Sequence, residues 1–350
     1  MLVKSITALS QAHNGALTAP YRAMLRTRRF RSAPYNAPAT GHEVVPVTTA
    51  DGARLRVHSY GPADGEPIVL IHGWSCCIEY WHPQINAFAD RYRVICYDQR
   101  GHGESTLGSS RLGDHTLADD LAAVLDATLS PGQKALLVGH SMGGITLQAW
   151  AARHPAQVAR RARAVVLANT TSGNIRYDTD LLPLLNKPLT LAKQPITLLG
   201  SPVRLPMFVA ESILTSPVPL PGGWAAREVL KERIMARGAT SEQADFALSI
   251  VRSCRPLARG RHAAMLADMD LGAAAAHLSV PTTIIAGQYD RLLPERMSRH
   301  IADTMREAGH RPDYQVWPTG HLGNLEATDR FNAELGSVLD RTDPRSAAAG

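Results

Sequence analysis

Ala135-Leu136-Leu137-Val138-Gly139-His140-Ser141-Met142-Gly143-Gly144-Ile145 is the stretch that decides the fold of this 350-residue chain. Four consecutive apolar residues read as a strand buried on both faces, and the pattern turns helical at Gly144 and Ile145. Between them lies G-x-S-x-G, the sharp strand-to-helix turn that lifts a serine hydroxyl toward solvent. Gly139 and Gly143, two positions either side of Ser141, leave room for that turn to close. The helix starting at the serine aims its free N–H groups and positive dipole end at any negative charge developing there. Ser141 is therefore the candidate nucleophile.

A serine hydroxyl needs a base to take its proton and a carboxylate to orient that base. The chain order Ser, Asp, His says where to search. Asp290 follows an apolar strand, in Gly287-Gln288-Tyr289-Asp290, and His321 follows the next strand, in Pro318-Thr319-Gly320-His321. Both positions fall at the carboxyl edge of a parallel sheet, where Ser141 stands. His300 and His310 belong to a predicted helix and its end, which suits a surface role. Asp290 could instead cap the helix beginning near Pro294, and Asp313 and Asp178 are the reserve acids.

A tetrahedral oxyanion needs preorganised N–H donors. Met142, next after the nucleophile, supplies one. The second is expected from His72-Gly73-Trp74, the loop after another apolar strand, with the Trp74 N–H as donor and Gly73 letting the backbone approach the substrate. His72 reads as a tie for that loop. Ser75, Cys76 and Cys77 read as loop packing, since the sequence places no base for them. Asp98-Gln99-Arg100-Gly101-His102-Gly103-Glu104-Ser105 has glycines that do not fit a phosphate cradle, and is expected to be a turn bracing the site.

Outward from the serine, short apolar runs at 67–72, 93–98, 134–140, 164–169 and 281–287, with a strand at 313–318, alternate with helix-patterned segments. A hairpin at 43–49 and 54–60, turning at Asp51-Gly52, opens the domain. The fold class is thus α/β, a mostly parallel eight-stranded sheet with helices on both faces. A helix is expected near 295–308 and a last one from about Asn324. The interval 171–279 breaks the pattern with repeated Pro and no strand alternation, and reads as a helical cap with helices near 225–236 and 241–251. The domains are then a 1–40 extension whose 32–40 stretch looks like a linker, a core of 41–170 and 280–342, and the 171–279 cap.

Composition agrees with a large buried core, 45% of the chain being apolar. The net charge is +6, but Arg outnumbers Lys 32 to 5, and no basic-aromatic array accompanies it; nucleic acid is not an expected partner. The four cysteines lack zinc-site spacing and read as free thiols, so neither metal nor cofactor is called for. No run of about 18 apolar residues suggests a membrane span. The N-terminus lacks a signal-peptide apolar region, which favours a cytoplasmic location. Leu2, Ile6, Leu9, Leu17, Met24 and Leu25 at helical spacing, followed by Arg22, Arg26, Arg28, Arg29 and Arg31, fit a helix lying peripherally on an anionic membrane. A leader helix packed on the domain, or a disordered basic arm, is the preferred reading of the same residues.

These residues resemble the α/β-hydrolase fold superfamily from about 43 to 340, through HGW at 72–74, DQRGHGES at 98–105, GHSMG at 139–143, GQYD at 287–290 and GH at 320–321. The sequence looks most like bacterial, especially actinobacterial, serine esterase and lipase-like members with a helical cap between the sixth and seventh strands. The resemblance implies a catalytic triad of Ser141, Asp290 and His321, an oxyanion hole of Trp74 and Met142, and a small-molecule ester or lipid as substrate. Ser141 stands where epoxide hydrolases and haloalkane dehalogenases of this fold carry aspartate. Cofactor-free haloperoxidases and hydroxynitrile lyases share the serine triad.

The expected reaction is cleavage of a carboxylic ester or thioester through an acyl-Ser141 intermediate. A haloperoxidase or perhydrolase using the same triad is the second reading, and a non-catalytic ligand receptor the third. Leu181, Leu182, Leu184, Leu185, Leu198, Leu199, Met207, Phe208 and Val209 would favour an apolar acyl group, or form the cap's own core.

Overall fold

The computed structural model describes residues 16–179 and 220–343, together with four two-residue strand segments between them. A helix over 16–27 (α1) precedes the hairpin of β1 (His42–Thr48) and β2 (Arg54–Tyr60). The core continues through β3 (Pro67–Ile71), α2 (His82–Phe88), β4 (Arg93–Tyr97), α3 (Asp114–Thr128), β5 (Ala135–His140), α4 (Met142–Arg153), α5 (Pro155–Arg161) and β6 (Ala162–Ala168). A short helix α6 (Ile175–Asp178) leads into the insertion. After it come β11 (Thr282–Gly287), α10 (Glu295–Glu307), β12 (Asp313–Trp317), α11 (Gly323–Glu326) and α12 (Thr328–Arg341).

The eight-stranded sheet runs β1-β2-β4-β3-β5-β6-β11-β12, with β2 antiparallel to both neighbours and every pair from β4 to β12 parallel. Successive side chains of one strand leave on opposite faces, and both faces are apolar. Ile68, Leu70, Leu136, Val138, Ala164 and Val166 enter one core cluster with Ile85, Phe331 and Leu335. Val69, Ile71, Leu137, Val165 and Leu167 enter the other, with Leu121, Val124, Leu147 and Trp150. That division explains why these strands read as continuous apolar runs: α2 and α12 cover one face, α3 and α4 the other.

Between β6 and β11 the described part of the insertion holds three helices of eleven or more residues, α7 (Trp224–Ile234), α8 (Ser241–Ser253) and α9 (Pro256–Asp268). A Thr240–Gln243 capping box starts α8. Two antiparallel two-residue pairs, β7 (Thr190–Leu191) with β8 (Gln194–Pro195) and β9 (Thr197–Leu198) with β10 (Ser201–Pro202), also lie in this interval. Segments that short carry no period-two pattern. The apolar cap residues Leu181, Leu182, Leu184, Leu185, Leu199, Met207, Phe208 and Val209, and the Leu198 side chain, lie outside what is described.

The described part of the N-terminal segment, from residue 16 onward, is packed on the domain. Leu25, Phe30 and Tyr35 are buried, and the Phe30 and Tyr35 rings lie 5.3 and 5.0 Å from the Phe246 ring of α8. Arg22 pairs with Glu104 at 3.1 Å, Arg26 with Glu104 at 2.9 Å and Glu79 at 3.2 Å, and Arg28 with Asp245 at 3.8 Å. The stretch expected to be a linker holds a 3-10 turn, Ala33–Tyr35, and Ser32 donates to Glu242. Its aromatic side chains, not its Pro and Ala content, decide its place. Leu2, Ile6 and Leu9 lie outside the described residues, and no helix among those described is long and apolar enough to cross a membrane.

Candidate active site

Ser141 joins β5 to α4 with φ 53° and ψ −118°, a conformation costing about 1–3 kcal/mol for a residue with a side chain. Its surroundings hold it there. The Ser141 N–H donates to the Ala168 carbonyl at 2.9 Å, and Thr170 Oγ1–H donates to the Ser141 carbonyl at 2.7 Å. A Cβ at Gly139 would stand 2.5 Å from the Gly143 carbonyl oxygen, and one at Gly143 would overlap the Ile71 carbonyl. The two motif glycines are therefore steric requirements of the turn.

Asp290 ends the turn after β11, and the Leu292 and Leu293 N–H groups both donate to its Oδ1 at 2.9 Å. Its other oxygen receives the His321 Nδ1–H at 2.8 Å. An ionised carboxylate only accepts, so in the neutral imidazole this bond puts the proton on Nδ1 and lets Nε2 accept the Ser141 Oγ–H, 3.0 Å away. All three side chains are buried. Of the reserve residues, Asp313 is exposed, Asp178 offers its backbone carbonyl to Arg296, His300 is exposed and His310 meets the Ala276 carbonyl.

Asn169, at the end of β6, was not foreseen as part of this site. Its side-chain amide donates to Asp290 Oδ2 at 3.3 Å and to the Gly320 carbonyl at 3.0 Å. Its place just past a buried strand, at the same sheet edge as the acid, is the signal that could have found it. Tyr80 is a second addition: its hydroxyl donates to Asn324 Oδ1 at 2.6 Å and lies 3.3 Å from His140 Nε2, which also meets the His321 carbonyl at 2.8 Å.

On the other side of the serine, Gly73 comes so near that a Cβ there would lie 3.0 Å from Ser141 Cβ. The Met142 N–H is the first of α4, where no intrahelical acceptor exists. Among the described residues the Trp74 N–H meets no backbone carbonyl either. The Trp74 indole N–H donates to the Arg259 carbonyl of α9 at 2.8 Å, joining this loop to the insertion. His72 ties the loop down as expected: its Nδ1–H donates to the Gly73 carbonyl at 2.7 Å, and Nε2 accepts the Gln99 N–H at 3.0 Å. Burial lowers its pKa to about 4, so it stays neutral. Met142 packs with Leu117, Ile145, Leu266 and Met269, and Trp74, Ile175 and Met265 edge the cluster.

The DQRGHGES turn braces this loop. Asp98 accepts the Ile78 N–H at 2.7 Å and the Glu104 N–H at 2.9 Å, and pairs with Arg56 at 3.2 Å. Arg100 joins Asp120 at 2.5 Å and Asp51 at 3.0 Å. Burial opposes ionisation of Glu79, but the Arg56 guanidinium outweighs it and holds that carboxyl well below its usual range. Cys76, Cys77, Cys96 and Cys254 are free and buried, and burial raises each thiol above its ordinary pKa. Among the described residues no group of three or more His, Cys, Asp or Glu could hold a metal ion.

Known proteins share this layout. The chain is 38% identical over 141 residues to a non-heme chloroperoxidase of Streptomyces lividans, a match covering 39% of this chain and 50% of that protein, so it spans half that relative's length. It is 26% identical over 301 residues to 3-oxoadipate enol-lactonase 2 of Acinetobacter baylyi, covering 84% of this chain and 96% of that one. Among solved structures, a thermophilic esterase of Thermogutta terrifontis superposes with a TM-score of 0.63 at 22% identity, over 86% of this chain and 99% of that chain, a likeness of fold. A family model described as the alpha/beta hydrolase fold matches residues 66–328, the stretch that carries Ser141, Asp290 and His321. The chain belongs to the α/β-hydrolase fold family.

Proposed function

We propose that this protein is a serine hydrolase that cleaves carboxylic esters, lactones included, through an acyl-Ser141 intermediate. One observation carries the reading: Ser141 Oγ, His321 Nε2 and Nδ1, and Asp290 Oδ2 form an unbroken line of hydrogen bonds of 3.0 and 2.8 Å at a strained turn. His321 Nε2 takes the hydroxyl proton as Oγ attacks the ester carbonyl carbon. The resulting oxyanion lies against the Met142 and Trp74 N–H groups, each such donor being worth about 10²- to 10³-fold in rate. Collapse of the intermediate breaks the carbon–oxygen bond to the alcohol, and His321 returns the proton to that leaving oxygen. A water deprotonated by His321 then attacks the acyl-enzyme and releases the carboxylic acid and free Ser141. Asp290 orients the imidazole and offsets its charge while it is protonated.

Trp74, in the loop beside Ser141, packs against an apolar cluster that Ile175 and Met265 also edge, which supports an apolar group on the substrate. The test is turnover of a chain-length series of p-nitrophenyl esters, with fluorophosphonate labelling of the wild type and of Ser141→Ala. Labelling and turnover that both survive in Ser141→Ala would refute the reading. Similarity to a chloroperoxidase at 38% identity favours one second reading, in which hydrogen peroxide replaces water on the acyl-enzyme and yields a peracid. Peroxide- and acetate-dependent bromination of a dye, absent in Ser141→Ala, would support it.

A further inference from the structure

His321 is held by its backbone as well as by its ring. Its N–H donates to the carbonyl of Ile234, the last residue of α7, at 2.7 Å. On either side of it the Gly320 and Leu322 N–H groups donate to the Glu326 carboxylate at 2.9 and 3.0 Å. The same carboxylate accepts the Ala236 N–H, just past the end of α7, at 2.7 Å. One side chain thus gathers three backbone donors, two flanking His321 and one from the insertion. Gly320 lets the segments meet, since a Cβ there would stand 2.6 Å from the Ile234 carbonyl oxygen.

We propose that Glu326 is a positioning residue for His321: it fastens the 320–322 turn to the end of α7, so that docking of the insertion sets the line from His321 Nε2 to Ser141 Oγ. The inference rests on the function proposed above. Burial pushes the Glu326 carboxyl up, its three backbone hydrogen bonds push it down, and Asp290 repels it. The insertion is then more than a wall of the site. A misplacement of the reacting groups by 1 Å costs on the order of 10²-fold in rate, so small play in this turn is enough to be read kinetically.

The experiment compares wild type, Glu326→Gln and Ala236→Pro by ester kinetics and by the downfield NMR resonance of the His321 Nδ1–H shared with Asp290. Glu326→Gln turns an N–H toward the backbone donors, and Ala236→Pro removes the insertion's donor while also fixing the backbone at 236. Expected in Glu326→Gln is a kcat lowered by about 30-fold with KM changed less than about twofold, as befits lost alignment. The downfield resonance shifts in both variants while circular dichroism stays that of the wild type, and Glu326→Asp restores part of kcat. An unmoved resonance in Glu326→Gln, or a kcat loss matching only the fraction unfolded, overturns the proposal. An unmoved resonance in Ala236→Pro overturns the insertion's share in it. The resonance needs no substrate, so a wild type that hydrolyses no ester would refute the function and leave the positioning test intact.

Discussion

Asn169 donates a side-chain N–H to Asp290 Oδ2 at 3.3 Å from a backbone in the left-handed region, at φ 48°. Asparagine tolerates that conformation better than most residues with a side chain. Asn169→Ala should therefore lose both the bond to the acid and the bond to Gly320, and add about 1 kcal/mol of backbone strain. Expected are a lower melting temperature and a kcat reduced by about tenfold, against the several orders lost when the nucleophile itself is removed. Stopped-flow acylation and thermal denaturation check the two parts separately, and an unchanged acylation rate would remove Asn169 from the site.

Ser141→Ala and His321→Ala should each lower kcat by about 10⁴-fold or more, and Asp290→Asn somewhat less. Ser141→Ala relieves no packing conflict and creates little cavity, so its folding should match the wild type. Single-turnover kinetics on a p-nitrophenyl ester, with urea unfolding run in parallel, distinguishes lost chemistry from lost structure.

The buried imidazoles make stability depend on pH. Burial holds His72 at about 4 and His102 and His140 at about 3, with neighbouring imidazoles adding to the effect on all three. Unfolding frees these groups to take protons below their ordinary pKa of about 6.5, so their share of stability is complete above that pH and is lost on acidification. Each contributes a slope of up to about 1.4 kcal/mol per pH unit between 6.5 and its folded value. Urea titrations at pH 7, 6 and 5 should show stability falling at each step; a flat profile would contradict the burial of these rings.

Phe30→Ala should destabilise the protein by about 3 kcal/mol, the usual cost of emptying an aromatic site. The ring stands against Tyr35 and Phe246, so the loss should appear in the docking of the N-terminal segment. Limited proteolysis after Arg28 or Arg31 reads this out directly. Equal cleavage rates in wild type and variant would show that the segment is not held by this ring.

Most of the sheet was legible because its strands are local apolar runs whose ends are marked by Gly, Pro and charged residues. The hydrogen-bonded line from Ser141 through His321 to Asp290 could be anticipated too, since chain order and strand ends point to these residues, with Asp313 and Asp178 held in reserve as acids. What escaped depends on partners distant in sequence. Asn169 meets Asp290 across 121 positions and Tyr80 meets Asn324 across 244, and no local pattern marks either. Tyr35 looked like part of a linker because it is a lone aromatic in a Pro and Ala-rich stretch, and its contact with Phe246 is what gives it a purpose. Helix α9 was missed for a local reason: Pro256 and Gly260 argue against a helix, yet proline at the first helical position costs nothing.

Trp74 offers its amide to the proposed oxyanion while its indole N–H is committed to the Arg259 carbonyl of α9. Substrate range and turnover are therefore tied together at this one residue. Reshaping the ring to admit a different acyl group would loosen the amide, and the altered enzyme would begin its new career slow. Met265 and Ile175 edge the same apolar cluster without giving backbone groups to the reacting atoms. They are where a library aimed at new substrates should begin, leaving Trp74 as it stands.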